Sequence, residues 1–196
     1  MKRFRKILIV LLAILVPVSI GFGFNFFSGE SSDSAENQAM TVEGTLTINQ
    51  ISEAQNLVPG DKICKGVTMN ITSSAVSLLR VKVDIYCADS KTAETDIAPI
   101  KNAGDNWLKG SDGYYYYTQG VKNGDIVKLA EEGIYFNGLN DNVDMNKYQG
   151  KKIKVVANAE LVQAKHGVFA EKWGLSENKD GDIYTKLKKI SNDQGQ

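Results

Sequence analysis

From Thr41 onward, apolar residues recur at alternate positions in short runs divided by turn residues. That period of two belongs to half-buried strands, whose successive side chains point to opposite faces. Val42, Leu46 and Ile48 alternate with polar neighbours and predict a first strand. Pro59-Gly60-Asp61 is a turn that launches a second, Lys62 to Ile71, which the polar Thr72-Ser73-Ser74 closes. Leu79 to Cys87 alternates most strongly, with Arg80, Lys82 and Asp84 outward. Ala88 to Ala103 is polar and reads as a loop with a helical turn. Further strands are predicted at Tyr114 to Tyr117, Asp125 to Leu129, Gly133 to Phe136 and Lys151 to Val162.

Helical periodicity is scarce. Asn140 to Tyr148 is short and rich in Asn and Asp, so it predicts a turn or a short helix. Asp182 to Ile190 sets Ile183, Leu187 and Ile190 on one side, with acids before and Lys188 and Lys189 at the end. Many strands and few helices predict an all-β fold, an antiparallel two-sheet β-sandwich.

One tract stands apart. Asn106 to Gly113 is mostly turn chemistry, and Tyr114, Tyr115, Tyr116 and Tyr117 follow it directly. Consecutive aromatics suit a pleated strand. Alternation sends Tyr114 and Tyr116 one way and Tyr115 and Tyr117 the other. Sheet packing is the ordinary role of such residues, and Trp107 with the four tyrosines also forms a candidate aromatic interface for glycan or protein.

The N-terminus sets the compartment. Lys2, Arg3, Arg5 and Lys6 precede an uncharged run from Ile7 to Phe27, comparable to the roughly 20 residues of a membrane helix. Pro17 interrupts it, and Gly21-Phe22-Gly23 offers a small-x-small cleavage triplet. Residues 1–27 therefore predict a signal peptide or a hydrophobic anchor helix, and both imply export to the cell surface or beyond. Residues 28–39 read as a flexible polar spacer, 40–175 as the β-sandwich domain, and 176–196 as a polar tail with a short helix. The 23 basic and 23 acidic residues balance only because of those four leader charges. The remainder is mildly acidic and lacks a basic cluster, which excludes a nucleic-acid-binding role.

Catalytic and ligand signatures are sparse. The only histidine, His166, sits beside a glycine, as a surface turn residue does. Neither a His-Glu-x-x-His helix nor a Gly-x-Ser-x-Gly elbow occurs. No catalytic residue, cofactor site or metal site is expected. Asn140 to Asn146 and Glu177 to Asp182 are oxygen-rich enough to consider calcium. An EF-hand aligned on Gly181 would place Leu187 where a bidentate Glu is required, so both stretches read as solvated loops. Cys64 and Cys87 are a candidate disulfide in an exported chain. Regular alternation points Cys64 away from the face of Cys87, and a bulge near Gly66 would restore it.

Five stretches carry a family resemblance: Pro59-Gly60-Asp61-Lys62-Ile63, Leu79 to Val83, Asn106 to Tyr117, Val156 to Ala164, and Ala170-Glu171-Lys172-Trp173-Gly174. In this order the chain resembles the TasA and camelysin-like exported proteins of Gram-positive bacteria, most closely BsaA-type biofilm matrix subunits. The resemblance implies a jelly-roll-like β-sandwich, export through a dedicated signal peptidase, and self-assembly into extracellular fibres. It also implies that the N-terminal segment of one subunit completes a sheet of the next, for which Val42, Leu46 and Ile48 are the candidate donor strand. The same residues also suit a strand paired within its own subunit. Two other functions are carried: a membrane-anchored surface binding or adhesion domain, and a camelysin-type metallopeptidase, for which one histidine is a poor ligand set.

Overall fold

The structure is a computed structural model that describes residues 44–48, 51–54, 56–88, 90–137, 145–148 and 150–194. The leader, the spacer, Val42 and most of Asn140 to Asn146 lie outside the described residues. Among the described residues ten strands run in order: β1 (Gly44–Ile48), β2 (Ile51–Ala54), β3 (Lys62–Cys64), β4 (Val67–Ser73), β5 (Ser77–Cys87), β6 (Trp107–Lys109), β7 (Tyr114–Tyr117), β8 (Ile126–Leu129), β9 (Ile134–Tyr135) and β10 (Ile153–Gln163). Two helices follow, α1 (Val168–Trp173) and α2 (Glu177–Asp193). Every strand pairing is antiparallel, and the fold is mostly β.

The sheets are β1-β4-β8, β2-β10-β5-β7-β6 and a small β3-β9 pair. The spine is the long β5–β10 ladder, from Ile153 opposite Cys87 to Gln163 opposite Ser77. Its strict alternation sends Leu79, Val81, Val83, Ile85 and Cys87 to one face, joined there by Ile153, Val155, Ala157 and Ala159. The same core takes Val67, Met69 and Ile71 from β4 and Val127 and Leu129 from β8. Apolar side chains of the three-stranded and five-stranded sheets therefore share one interior. Each fully buried side chain of this size contributes roughly 1.5–3 kcal/mol over its exposed state.

A second, smaller core lies on the opposite face of β5. Leu78, Tyr116 and Ala164 meet Phe169, Trp173 and Leu175 from the α1 region and Ile183 and Leu187 from α2. The helix expected over Asp182 to Ile190 thus extends from Glu177 to Asp193, and it buries Ile183, Leu187 and Ser191. Its backbone breaks at Gly181. The Glu177 to Asp182 stretch forms its first turns and not a loop.

The single strand expected from Lys62 to Ile71 is two strands. Gly66, at φ +92, turns the chain between them, where an added Cβ would lie 2.1 Å from the Ala130 carbonyl oxygen. The expected loop from Ala88 to Ala103 contains a 3-10 turn at Thr95–Ile97 that buries Ile97. Another 3-10 turn, Met145–Tyr148, ends the Asn140 to Tyr148 segment.

Candidate functional site

The tyrosine tract forms the second strand of a hairpin. Trp107 pairs with Tyr117, Leu108 with Tyr116 and Lys109 with Tyr115. Gly110 closes the turn by donating its N–H to the Tyr114 carbonyl at 2.7 Å, and the Asp112 carboxylate accepts the Tyr114 N–H at 3.1 Å. Asn106 to Lys109, read as turn chemistry, is therefore partly strand. Three residues are too few for a period to appear.

Alternation divides the tyrosines as expected. On the inner face Trp107 and Tyr115 are buried, and the Trp107 and Tyr117 rings sit 5.0 Å apart. The Trp107 indole N–H donates to the Lys128 carbonyl at 2.8 Å, and Ala130 N–H donates to the Ala103 carbonyl at 3.2 Å. These two bonds stitch the β6 side of one sheet to the β8 strand of the other.

The outer face holds a polar network that sequence reasoning did not find. Arg80 lies opposite Glu160 on β10 and opposite Tyr116 on β7. Its Nε and Nη2 donate to one Glu160 oxygen at 2.9 and 2.7 Å, and Nη1 donates to Tyr116 Oη at 3.3 Å. Tyr116 Oη donates to Asp112 at 2.6 Å, and Tyr114 Oη donates to the second Glu160 oxygen at 2.8 Å. The guanidinium stacks over Tyr114 at 4.0 Å and Trp173 at 5.0 Å, so its charge is screened by rings above and paired at the edge. Burial works against the Arg80 charge, yet Tyr116 and Glu160 hold its pKa above the ordinary value. Burial, then the bond to Asp112, pushes the Tyr116 phenol far up, and burial with Glu160 raises Tyr114 in the same direction. Once β5, β7 and β10 are in register, the opposed charges of Arg80 and Glu160 would have revealed the pair.

The candidate aromatic interface is largely consumed by this packing. Trp107, Tyr115 and Tyr116 are buried, and Tyr114 and Tyr117 are half-buried. The large apolar residues exposed among the described residues are Val58, Ile126 and Tyr135.

The N-terminal strands occupy edges. β1 lies outermost beside β4, with Leu46 opposite Ile71 and Ile48 opposite Met69. β2, which the alternation did not separate from β1, lies outermost beside β10, with Ile51 opposite Val156. The candidate donor residues Leu46 and Ile48 therefore pair within their own chain here, and Val42 lies outside the described residues.

Cys64 and Cys87 are both buried free thiols, so the candidate disulfide is not formed. The register shifts between Lys62 and Cys64, and Ile63 and Cys64 are both buried, which brings Cys64 into the core of Cys87 despite its parity. Cys64 settles opposite Ile134 and Cys87 opposite Ile153. Burial raises both thiol pKa values and suppresses the reactive thiolate. Among the described residues, no three His, Cys, Asp or Glu side chains gather as a metal site. His166 adopts a left-handed turn at φ 63 just before α1.

Comparison with family models and with curated proteins yields no match.

Proposed function

We propose that the chain is an exported structural subunit of an extracellular fibre or biofilm matrix, built on a jelly-roll-like β-sandwich and assembling by strand donation from its N-terminus. One observation carries this reading: a single terminal segment supplies the outermost strand of both larger sheets, β1 on β4 and β2 on β10. Such a segment, preceded by a polar spacer, is able to leave its own edges and take the same main-chain pairings on another copy. The vacated edges would then receive the segment of the next subunit, which makes a head-to-tail and open-ended assembly. The leader supports export, and the burial of Trp107, Tyr115 and Tyr116 favours packing over ligand capture.

Protein beginning at Met40 is expected to form fibres or ladders visible by electron microscopy, and removing residues 40–51 is expected to stop assembly. Persistent monomer of the Met40 form at high concentration would overturn the proposal.

A further inference from the structure

Beyond the helix-covered end, the outer face of the five-stranded sheet carries a nucleophile, an electrophile and a carboxylate between them. Tyr114, Lys82 and Asn158 stand in one row across β7, β5 and β10, Lys82 being opposite both neighbours. Asp84, two residues along β5, projects from the same face. The Lys82 ammonium lies 3.9 Å from one Asp84 oxygen, and the Asn158 amide donates to the other at 3.3 Å. The Tyr114 ring centre is 6.0 Å from the Lys82 nitrogen and gives the amine an aromatic flank. The Asp84 side chain is only 13% exposed, which leaves its carboxylate partly desolvated. Glu160 and Arg80, the next charges on this face, are committed to each other.

We propose that Lys82 and Asn158 are a self-modification site at which an amide cross-link forms between β5 and β10, with Asp84 as the proton carrier. Cβ atoms of directly opposed residues stand about 4.5–5.5 Å apart, within reach of a lysine side chain folded toward its partner. A primary amide is a poor electrophile. Asp84 gathers the amine and the amide on its two oxygens, which raises the effective concentration, and the same carboxylate supplies acid and base in turn. Asp84 takes a proton from the Lys82 nitrogen, which adds to Cγ of Asn158. The Cγ–Nδ2 bond breaks as Asp84 returns that proton to the leaving nitrogen. One ammonium ion departs, carrying the second lysine proton, and one secondary amide remains. No oxidant or cofactor is consumed, and the open face lets ammonium escape. The bond would lock the two longest strands, the ladder on which both cores rest.

The test is intact-mass and peptide analysis of the protein after ageing in mildly alkaline buffer, with Lys82→Arg and Asp84→Ala alongside. The expected result is a mass lower by one ammonia, a branched peptide joining the Lys82 and Asn158 segments, and loss of both in each variant. An unchanged mass after ageing would overturn the proposal. So would equal ammonia loss in Lys82→Arg, since that identifies a cyclic imide at Asn158 instead of a cross-link.

Discussion

Two glycines with nearly the same backbone separate strain from collision. Gly60 has φ +91 and nothing within 4 Å of the place a Cβ would take; Gly66 has φ +92, and a Cβ there would lie 2.1 Å from the Ala130 carbonyl oxygen, 2.8 Å from that of Leu129 and 2.9 Å from the Ala130 carbonyl carbon. Gly60→Ala therefore carries only the cost of a conformation that side chains disfavour, about 1–3 kcal/mol. Gly66→Ala carries that cost and a collision with main chain. Comfortable carbon contacts lie near 3.5–4.0 Å, so the shortfall exceeds an ångström. Leu129 and Ala130 are fully buried and have no free space to yield into. Overpacking of this kind adds about 1–3 kcal/mol or more. At about 2–4 °C per kcal/mol for a chain of this size, Gly60→Ala should lower Tm by about 2–12 °C and Gly66→Ala by roughly twice as much or more. Thermal melts of the two variants beside the parent read the difference directly. Equal losses, or a milder loss at Gly66, would refute the close approach of β3–β4 to the β8 end.

Two further outcomes follow from the outer face. Tyr114 and Tyr116 hold their protons more tightly folded than unfolded, so their contribution to stability is complete below the ordinary phenol value of 10.0 and is lost as pH rises through the folded values. Ultraviolet titration should show a subset of the eight tyrosines ionising only as the protein unfolds in alkali; uniform ionisation of a still-folded chain would sink this. Leu187→Ala removes a side chain that is 1% exposed and should cost about 2–5 kcal/mol, with limited proteolysis cutting within α2. An unchanged melt would mean that α2 is not docked.

Long alternating runs made the fold class legible. Leu79 to Cys87 and Lys151 to Val162 each announced one strand, one face and one set of core residues. Short elements escaped because three to six residues cannot display a period, as β6, β2 and α1 illustrate. The sequence marks Gly66 as a place for a bulge, but the approach of the Ala130 carbonyl that excludes a side chain there comes from far along the chain and was not legible. Arg80 read as an outward charge, and only register shows that Glu160 and Tyr116 await it on both sides. Regular parity would have kept Cys64 from the core, and the alternative of a local bulge is the one found: the register shift between Lys62 and Cys64 presents consecutive residues to the interior.

The bond from the Trp107 indole to the Lys128 carbonyl has a meaning beyond packing. An edge strand recruits a stranger through idle main-chain acceptors, and here one acceptor is already occupied by a buried side chain of the same molecule. The β8 flank is thereby partly blunted, whereas the opposite flank is bordered by strands that belong to the chain's own beginning. One flank of the three-stranded sheet is thus tied down by a side chain, and the other is closed by β1. That asymmetry gives direction to any contact made through its sheets.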